Sequence, residues 1–284
     1  MNLSDSSPMA AAKTEFVSVD GARLAYRAFG ASGPVPLVFL MRFRGTMDHW
    51  DPAFVDPIAE KRPIVLLDNA GVGQSEGEVP GGISGMAEIV RLFAAAKGLE
   101  KIDVFGWSMG AAVGLKLTID HPVLVRKLVF AGSGPGGIVD APPMPQKVLE
   151  TIVKPQTSED DYLYLFFAGS EASREAGRRS LKRIARRTEA AAHRPVKPES
   201  FKRQLAAVGA WTQGANSAGN VLESVQTPTL VLNGAHDVMV HPYNSYVMNQ
   251  RMPSAQLILY PDSGHAFHFQ YPAQVAGDVI DFLS

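Results

Sequence analysis

A chain of 284 residues, 46% hydrophobic and 19% charged, is long enough for one globular core with an insertion and too apolar for a disordered chain. Twenty-seven Lys and Arg against twenty-eight Asp and Glu leave a net charge of −1, so no global field draws the protein onto nucleic acid or an anionic membrane, and a small neutral partner fits better. Zero cysteines exclude disulfides, thiolate metal sites and cysteine nucleophiles.

The N-terminal MNLSDSSPMAAAKTE lacks a basic start followed by an apolar core, so it does not read as a signal peptide, and residues 1–14 are expected to form a loose polar tail. The longest apolar runs are strand-sized, too short to span a membrane, and the expected location is the cytoplasm. EFVSVD (15–20) and RLAYRAF (23–29) alternate apolar and polar residues, as a half-exposed hairpin joined at Gly21 and Ala22 would. PLVFL (36–40), PIVLLD (63–68), KIDVFG (101–106), KLVFAG (127–132), TLVLNG (229–234) and AQLILY (255–260) are continuous apolar runs, which suits strands covered on both faces. The expected fold is therefore α/β, a mostly parallel eight-stranded sheet with helices on both faces.

Between Ser133 and Pro228 the beat of strands fails. Helical periodicity and Pro-rich joints at APPMP (141–145) and HRPVKP (193–198) make residues 134–228 a helical insert between the sixth and seventh strands, placed to act as a lid. The core is then expected at 15–133 and 229–284. Glu171 to Arg203 holds eleven Lys or Arg against four Glu, and the i, i+3, i+4 spacing of Leu181, Ile184 and Ala185 predicts an amphipathic helix with its arginines in solvent.

The sharpest chemical signal is Gly106-Trp107-Ser108-Met109-Gly110, placed where KIDVFG meets the helix-like AAVGLKLTID (111–120). Glycines on either side let a strand and a helix approach closely enough to hold the serine in a strained, exposed turn, at the positive end of the helix. A serine hydroxyl is a poor nucleophile at neutral pH and needs a base, which needs an orienting acid. Asp237 stands just past TLVLNG and His265 in the loop beyond AQLILY, both at the C-terminal ends of strands, where open parallel sheets bind ligands. Asp262 is a weaker candidate for the acid, because it directly precedes the histidine loop; His268 falls at the start of the final helix and reads as structural.

GWSMG, DNAGVGQS (68–75), NGAHDVMV (233–240) and DSGH (262–265) together resemble the α/β-hydrolase superfamily, in its esterase, lactonase and cofactor-free haloperoxidase-like branch. The resemblance covers about two thirds of the chain and implies a Ser108, Asp237, His265 triad in that chain order. In some members the acid lies after the sixth strand, but Gly132 and Ser133 stand there. Family members commonly carry a His-Gly pair after the third strand, followed by a residue whose backbone N–H joins the one after the nucleophile as an oxyanion hole. Here Met41 and Arg42 occupy the pair, which places the two donors at Phe43 and Met109. Trp107 and Arg42 are the candidate substrate contacts, with Trp211 as a further aromatic of an apolar pocket.

The resemblance implies acyl transfer on a small, largely apolar ester or lactone without metal or organic cofactor, leaving homo-oligomer formation open. C–C bond hydrolysis and perhydrolysis use the same triad and stay open as alternatives. So does a non-catalytic ligand-binding receptor on the same fold. Serine rather than aspartate at the elbow argues against chemistry through an alkyl-carboxylate intermediate.

Overall fold

The computed structural model describes residues 7–186 and 196–284. Its centre is one eight-stranded sheet of β1 (Glu15–Val19), β2 (Ala22–Gly30), β3 (Leu37–Leu40), β4 (Pro63–Leu67), β5 (Ile102–Trp107), β6 (Val125–Ala131), β7 (Thr229–Gly234) and β8 (Ala255–Tyr260), in the order β1-β2-β4-β3-β5-β6-β7-β8. β2 runs antiparallel to β1 and β4, and the other pairings are parallel. The expected sheet is therefore present, with each apolar run on a strand. The hairpin turn falls one residue earlier than expected, at Asp20 and Gly21, because both take positive φ (46° and 78°), a conformation Asp-Gly tolerates and Ala22 would not.

The helices are α1 (Pro8–Ala11), α2 (Pro52–Ala59), α3 (Gly82–Ala96), α4 (Met109–Asp120), α5 (Gln146–Ile152), α6 (Glu159–Phe166), α7 (Glu171–Ile184), α8 (Pro198–Thr212), α9 (Tyr243–Arg251), α10 (Phe267–Gln270) and α11 (Pro272–Leu283). They cover both faces. Residues of α3, α4 and α8 pack on one side of the sheet with Val38, Val104 and Leu128, and residues of α2, α6, α10 and α11 pack on the other with Phe39, Phe105 and Val129. This is why β3 and β5 are buried at every position and read as unbroken apolar runs. The chain reverses its order across the sheet at β3, which lies between β4 and β5. The loops leaving β3 and β5 thus face a crevice at the C-terminal edge.

Residues 7–12 depart from the expected loose tail. Ser7 Oγ and the Met9 N–H donate to the two carboxylate oxygens of Asp56 at 2.6 and 2.9 Å, and Met9 and Ala12 are buried, so hydrogen bonds and apolar contact together dock the segment on α2. Residues 1–6 of that tail, and 193–195 of the second Pro-rich joint, lie outside the described residues.

Among the described residues, α5 to α8 lie in the interval between β6 and β7. α7 turns mainly small residues inward, Ser173, Ala176, Gly177 and Ser180, with Ile184 of the expected apolar stripe partly buried against the same core and Leu181 half-exposed. The reason is closeness, since a Cβ on Gly177 would overlap Leu163 and approach Phe167 to 2.8 Å. Its arginines are also less free than expected. Arg183 makes a forked contact with the buried Asp51 at 2.5–3.0 Å, while Arg174 and Arg178 pair with Asp160, Glu171 and Glu175. Among the described residues no helix is long and apolar enough to cross a membrane.

Candidate active site

Ser108 lies between β5 and α4 with φ 57° and ψ −119°, a strained conformation for a residue with a side chain, of a kind that costs about 1–3 kcal/mol and clusters at functional sites. Two glycines make that turn possible. A Cβ on Gly106 would collide with Ala111 and the Gly110 carbonyl, and one on Gly110 would overlap the Leu40 carbonyl and come within 2.8 Å of Met41 O. α4 is thus pressed against the ends of both β5 and β3. The Ser108 N–H is fixed to Ala131 O at 2.8 Å, which leaves the side chain half-buried at the crevice.

Asp237 and His265 arrive from the ends of β7 and β8. Gly234 permits it, because a Cβ there would strike the carbonyls of Ser263 and Gly264 in the histidine loop. Asp237 Oδ1 accepts from the N–H groups of Met239 and Val240 at 2.8 and 3.0 Å, and Oδ2 meets His265 Nδ1 at 2.7 Å; both residues are nearly without exposure. A carboxylate can only accept, so Nδ1 is the protonated nitrogen and Nε2 carries the lone pair. That Nε2 is buried without a hydrogen-bond partner, and no bond joins it to the Ser108 hydroxyl. Catalytic hydrogen bonds of this kind often tighten only when substrate binds. Gly132, with φ 57°, leaves room for the imidazole: a Cβ there would sit 3.3 Å from its ring. Asp262 is occupied elsewhere, by the Ser170 hydroxyl at 2.7 Å.

The loop after β3 carries the other half of the site. The N–H groups of Phe43 and Met109 have no hydrogen-bond acceptor among the described residues. They lie on two segments that the absence of a side chain at Gly110 brings into contact. The far end of the loop is held by Asp68, which accepts from the Met47 N–H at 2.7 Å, while Ser75 Oγ donates to Asp68 O at 2.6 Å. Burial pushes the Asp68 carboxyl up to about 7, outweighing the two backbone donors that favour its charge.

Arg42 turns towards α6. Its guanidinium carbon lies 4.7 Å from the centre of the Phe166 ring and 5.3 Å from that of Trp107, and Nη1 donates to Phe43 O at 2.8 Å. Each such cation–aromatic contact contributes about 0.5–2 kcal/mol. Desolvation by the surrounding protein lowers its pKa to about 10, so it is still charged at neutral pH.

Trp107 is not a substrate wall. It has no exposed surface, and its indole Nε1 donates to His265 O at 3.0 Å, so it ties the elbow to the histidine loop from beneath. Trp211 is likewise buried, with Nε1 donating to Gly134 O at 3.0 Å. His268 packs against Trp107, with ring centres 4.4 Å apart, and neither of its nitrogens has a partner; burial, then the charges of His265 and Arg42, hold its pKa well below the ordinary histidine range.

Three residues at the site escaped the sequence reading. Phe166 closes over His265, with ring centres 5.8 Å apart and its carbonyl accepting from Ala266 N–H at 2.8 Å. Tyr162 packs on Phe166 in a tilted contact, with ring centres 4.7 Å apart. Arg44 takes φ 57° and donates to Ile152 O, Lys154 O and Pro155 O at 2.7–3.1 Å. The aromatic run YLYLFF was the available signal for the first two; nothing in the sequence marks Arg44. A cavity of about 30 Å³ beside the elbow is lined by Arg42, Asp68, Met109, Gly110 and Gln204 among others, room for a water or two rather than for a substrate. Among the described residues, no group of three or more His, Asp or Glu is placed to hold a metal ion.

An eight-stranded, mostly parallel sheet with a serine on a strained strand-to-helix turn defines a class, and comparison with known proteins agrees. The family described as alpha/beta hydrolase fold matches residues 35–272, and this chain belongs to it. A solved alpha/beta hydrolase fold protein from Chitinophaga pinensis superimposes with a TM-score of 0.91 at 31% identity, covering 98% of this chain and 99% of that one. A putative carbamate hydrolase, RutD, of Rhizobium rhizogenes is 28% identical over 252 residues, 84% of this chain and 88% of its own. A pimeloyl-[acyl-carrier protein] methyl ester esterase of Nitrosomonas europaea is 25% identical over 233 residues, 79% and 86% of the two chains. The protein is a hydrolase of this fold.

Proposed function

We propose that this hydrolase cleaves a carboxylic ester or lactone through an acyl-enzyme on Ser108. The observation that carries the reading is His265 Nε2, a buried lone pair with no partner, on a ring whose other nitrogen is held by Asp237 at 2.7 Å. An acceptor left unsatisfied in a low-dielectric site is costly in a folded protein unless a proton is to be delivered to it. In the proposed reaction, Nε2 takes the Ser108 proton as Oγ attacks the carbonyl carbon. Asp237 keeps the tautomer and stabilises the imidazolium. The free N–H groups of Phe43 and Met109 receive the oxyanion, a contribution of the kind worth about 10²–10³ in kcat per donor. His265 then protonates the leaving alkoxide and deprotonates the water that releases the acid.

The helical insert acts as a lid in this reading, because Phe166 of α6 lies over His265 and Phe201 of α8 packs on Phe43 at 5.3 Å. Relatives named for carbamate and for methyl ester hydrolysis act on carbonyl derivatives, which supports acyl chemistry here. The test is labelling with a fluorophosphonate together with turnover of small esters. Ser108→Ala should abolish both while the unfolding transition barely moves. Labelling at another serine, or undiminished turnover by the variant, would refute the assignment, and a labelled protein bearing no ester activity would argue for a receptor.

A further inference from the structure

The buried Arg27 pairs with Asp48, and of the half-buried arginines Arg62 pairs with Asp103, Arg183 with Asp51, and Arg44 with three backbone carbonyls. Arg42 breaks that rule. Among the described residues no carboxylate lies within ion-pair distance of it, its Nε is buried without an acceptor, and its one hydrogen bond to those residues runs from Nη1 to Phe43 O. Phe166 and Trp107 flank the cation, but aromatic faces cannot accept its in-plane N–H groups as oxygen does. Such a group is expensive to keep unless a negative charge arrives to complete it. Part of its surface is still accessible, although protein encloses it.

A second group points the same way. Tyr162 is half-buried with its ring 4.7 Å from that of Phe166, the ring that the Arg42 guanidinium also faces at 4.7 Å, and its hydroxyl has no hydrogen-bond partner among the described residues. A planar five-donor fork with a free hydroxyl near it is matched by a carboxylate, which accepts two parallel N–H bonds and can take a third donor. The place is specific, because Arg42 is the residue before the proposed oxyanion donor Phe43.

We infer that Arg42, assisted by the Tyr162 hydroxyl, receives a carboxylate of the substrate, so that the preferred substrate is an ester or lactone carrying a second, free carboxylate a short chain away from the scissile carbonyl. This rests on the acyl-transfer reading and adds the substrate class to it. It also revises the sequence expectation of a neutral, largely apolar substrate: the scissile group is neutral and the molecule is an anion.

Monomethyl glutarate and methyl pentanoate are a matched pair, with the same chain length and methyl ester and only the distal carboxylate differing. Wild-type enzyme should prefer the glutarate ester about tenfold to a hundredfold in kcat/KM, as charge-assisted hydrogen bonds in a desolvated site imply. Arg42→Gln should bring that ratio to one or below, chiefly through KM, and Tyr162→Phe should lower it severalfold. If Arg42 instead serves only to hold the Phe43 carbonyl, the variant loses equally on both esters and the ratio stays put. That outcome overturns the proposal, as does a wild-type enzyme that favours methyl pentanoate. Should Arg42→Gln not fold, or should neither ester be turned over, protection of Ser108 from the fluorophosphonate decides: free glutarate should slow labelling of the wild-type protein at concentrations where pentanamide does not, and equal protection by the two would overturn the idea. Absence of any Ser108 labelling is the separate failure of the hydrolase reading itself.

Discussion

Arg44 offers a test in which one position is replaced in two ways. It holds φ at 57°, where a side chain costs about 1–2 kcal/mol, and its guanidinium spans three carbonyls at the end of α5, while its N–H donates to Gln204 of α8 at 3.1 Å. Two of the three guanidinium bonds are exposed, so together they contribute on the order of 1–3 kcal/mol. Arg44→Ala loses the three bonds and keeps the strained backbone; Arg44→Gly loses the same bonds and relieves the strain. In urea denaturation the glycine variant should therefore be more stable than the alanine variant by about 1 kcal/mol. Their kcat on a model ester should nevertheless fall together, by about tenfold, because both free the loop that presents the Phe43 N–H; complete loss of a donor would set the limit at about 10²–10³. Wild-type kcat in Arg44→Gly would show that the loop holds Phe43 without the insert. An alanine variant as stable as the glycine one would show that the positive φ stores no strain.

Two further outcomes follow from the proposed triad and its surroundings. Asp237→Asn can keep both backbone bonds through its amide oxygen, yet it presents N–H groups to His265 Nδ1, which forces the proton onto Nε2; kcat should drop by about 10⁴ with little change in the unfolding midpoint, and near-normal turnover would remove Asp237 from the mechanism. His268 is neutral in the fold and titrates near 6.5 when unfolded, so the stability it contributes is full above about pH 6.5 and is lost by up to about 1.4 kcal/mol per pH unit as pH falls below it. His268→Phe should remove that component, flattening the acid side of the stability curve relative to wild type when unfolding is followed from pH 7 to 5; unchanged slope would mean that His268 can protonate in place.

The strands, the strained turn at Ser108 and the approach of Asp237 to His265 were legible because each depends on local chemistry. Continuous apolar runs mark strands covered on both sides at β3 and β5, while the last run, β8, lies at the sheet edge with Leu259 exposed, and Gly106 and Gly110 report a close approach that a side chain would block. Trp107 was misread for a related reason. Its place between two glycines gives its position in the chain but not its direction, and the indole turns down to the His265 carbonyl rather than up to the crevice. α7 shows the same limit, since Leu181 and Ile184 have helical spacing but Gly177 and the small residues around it set which face can come close to Leu163. Contacts between segments far apart in the chain, such as Arg44 with the end of α5 or Arg183 with Asp51, leave no periodic trace at all.

Those distant contacts converge on the segment that departs most from the family pattern. Where a His-Gly pair is usual, Met41 and Arg42 stand, and the three residues after Met41 are each engaged differently: Arg42 with α6 through Phe166, Phe43 with α8 through Phe201, and Arg44 with the end of α5 and with Gln204. A flexible glycine at position 42 would leave the donor loop to be positioned by the core alone. With arginines on both sides of Phe43, the loop is instead clasped by three helices of the insert, so a displacement of those helices must disturb the Phe43 N–H as well as the roof over His265. An insert that opened freely would therefore switch off the proposed oxyanion hole, and closure around an anionic substrate at Arg42 would restore it. Substrate recognition and the chemistry would then be coupled through the same few residues, and a glycine at 42 should weaken that coupling even where it leaves the triad untouched.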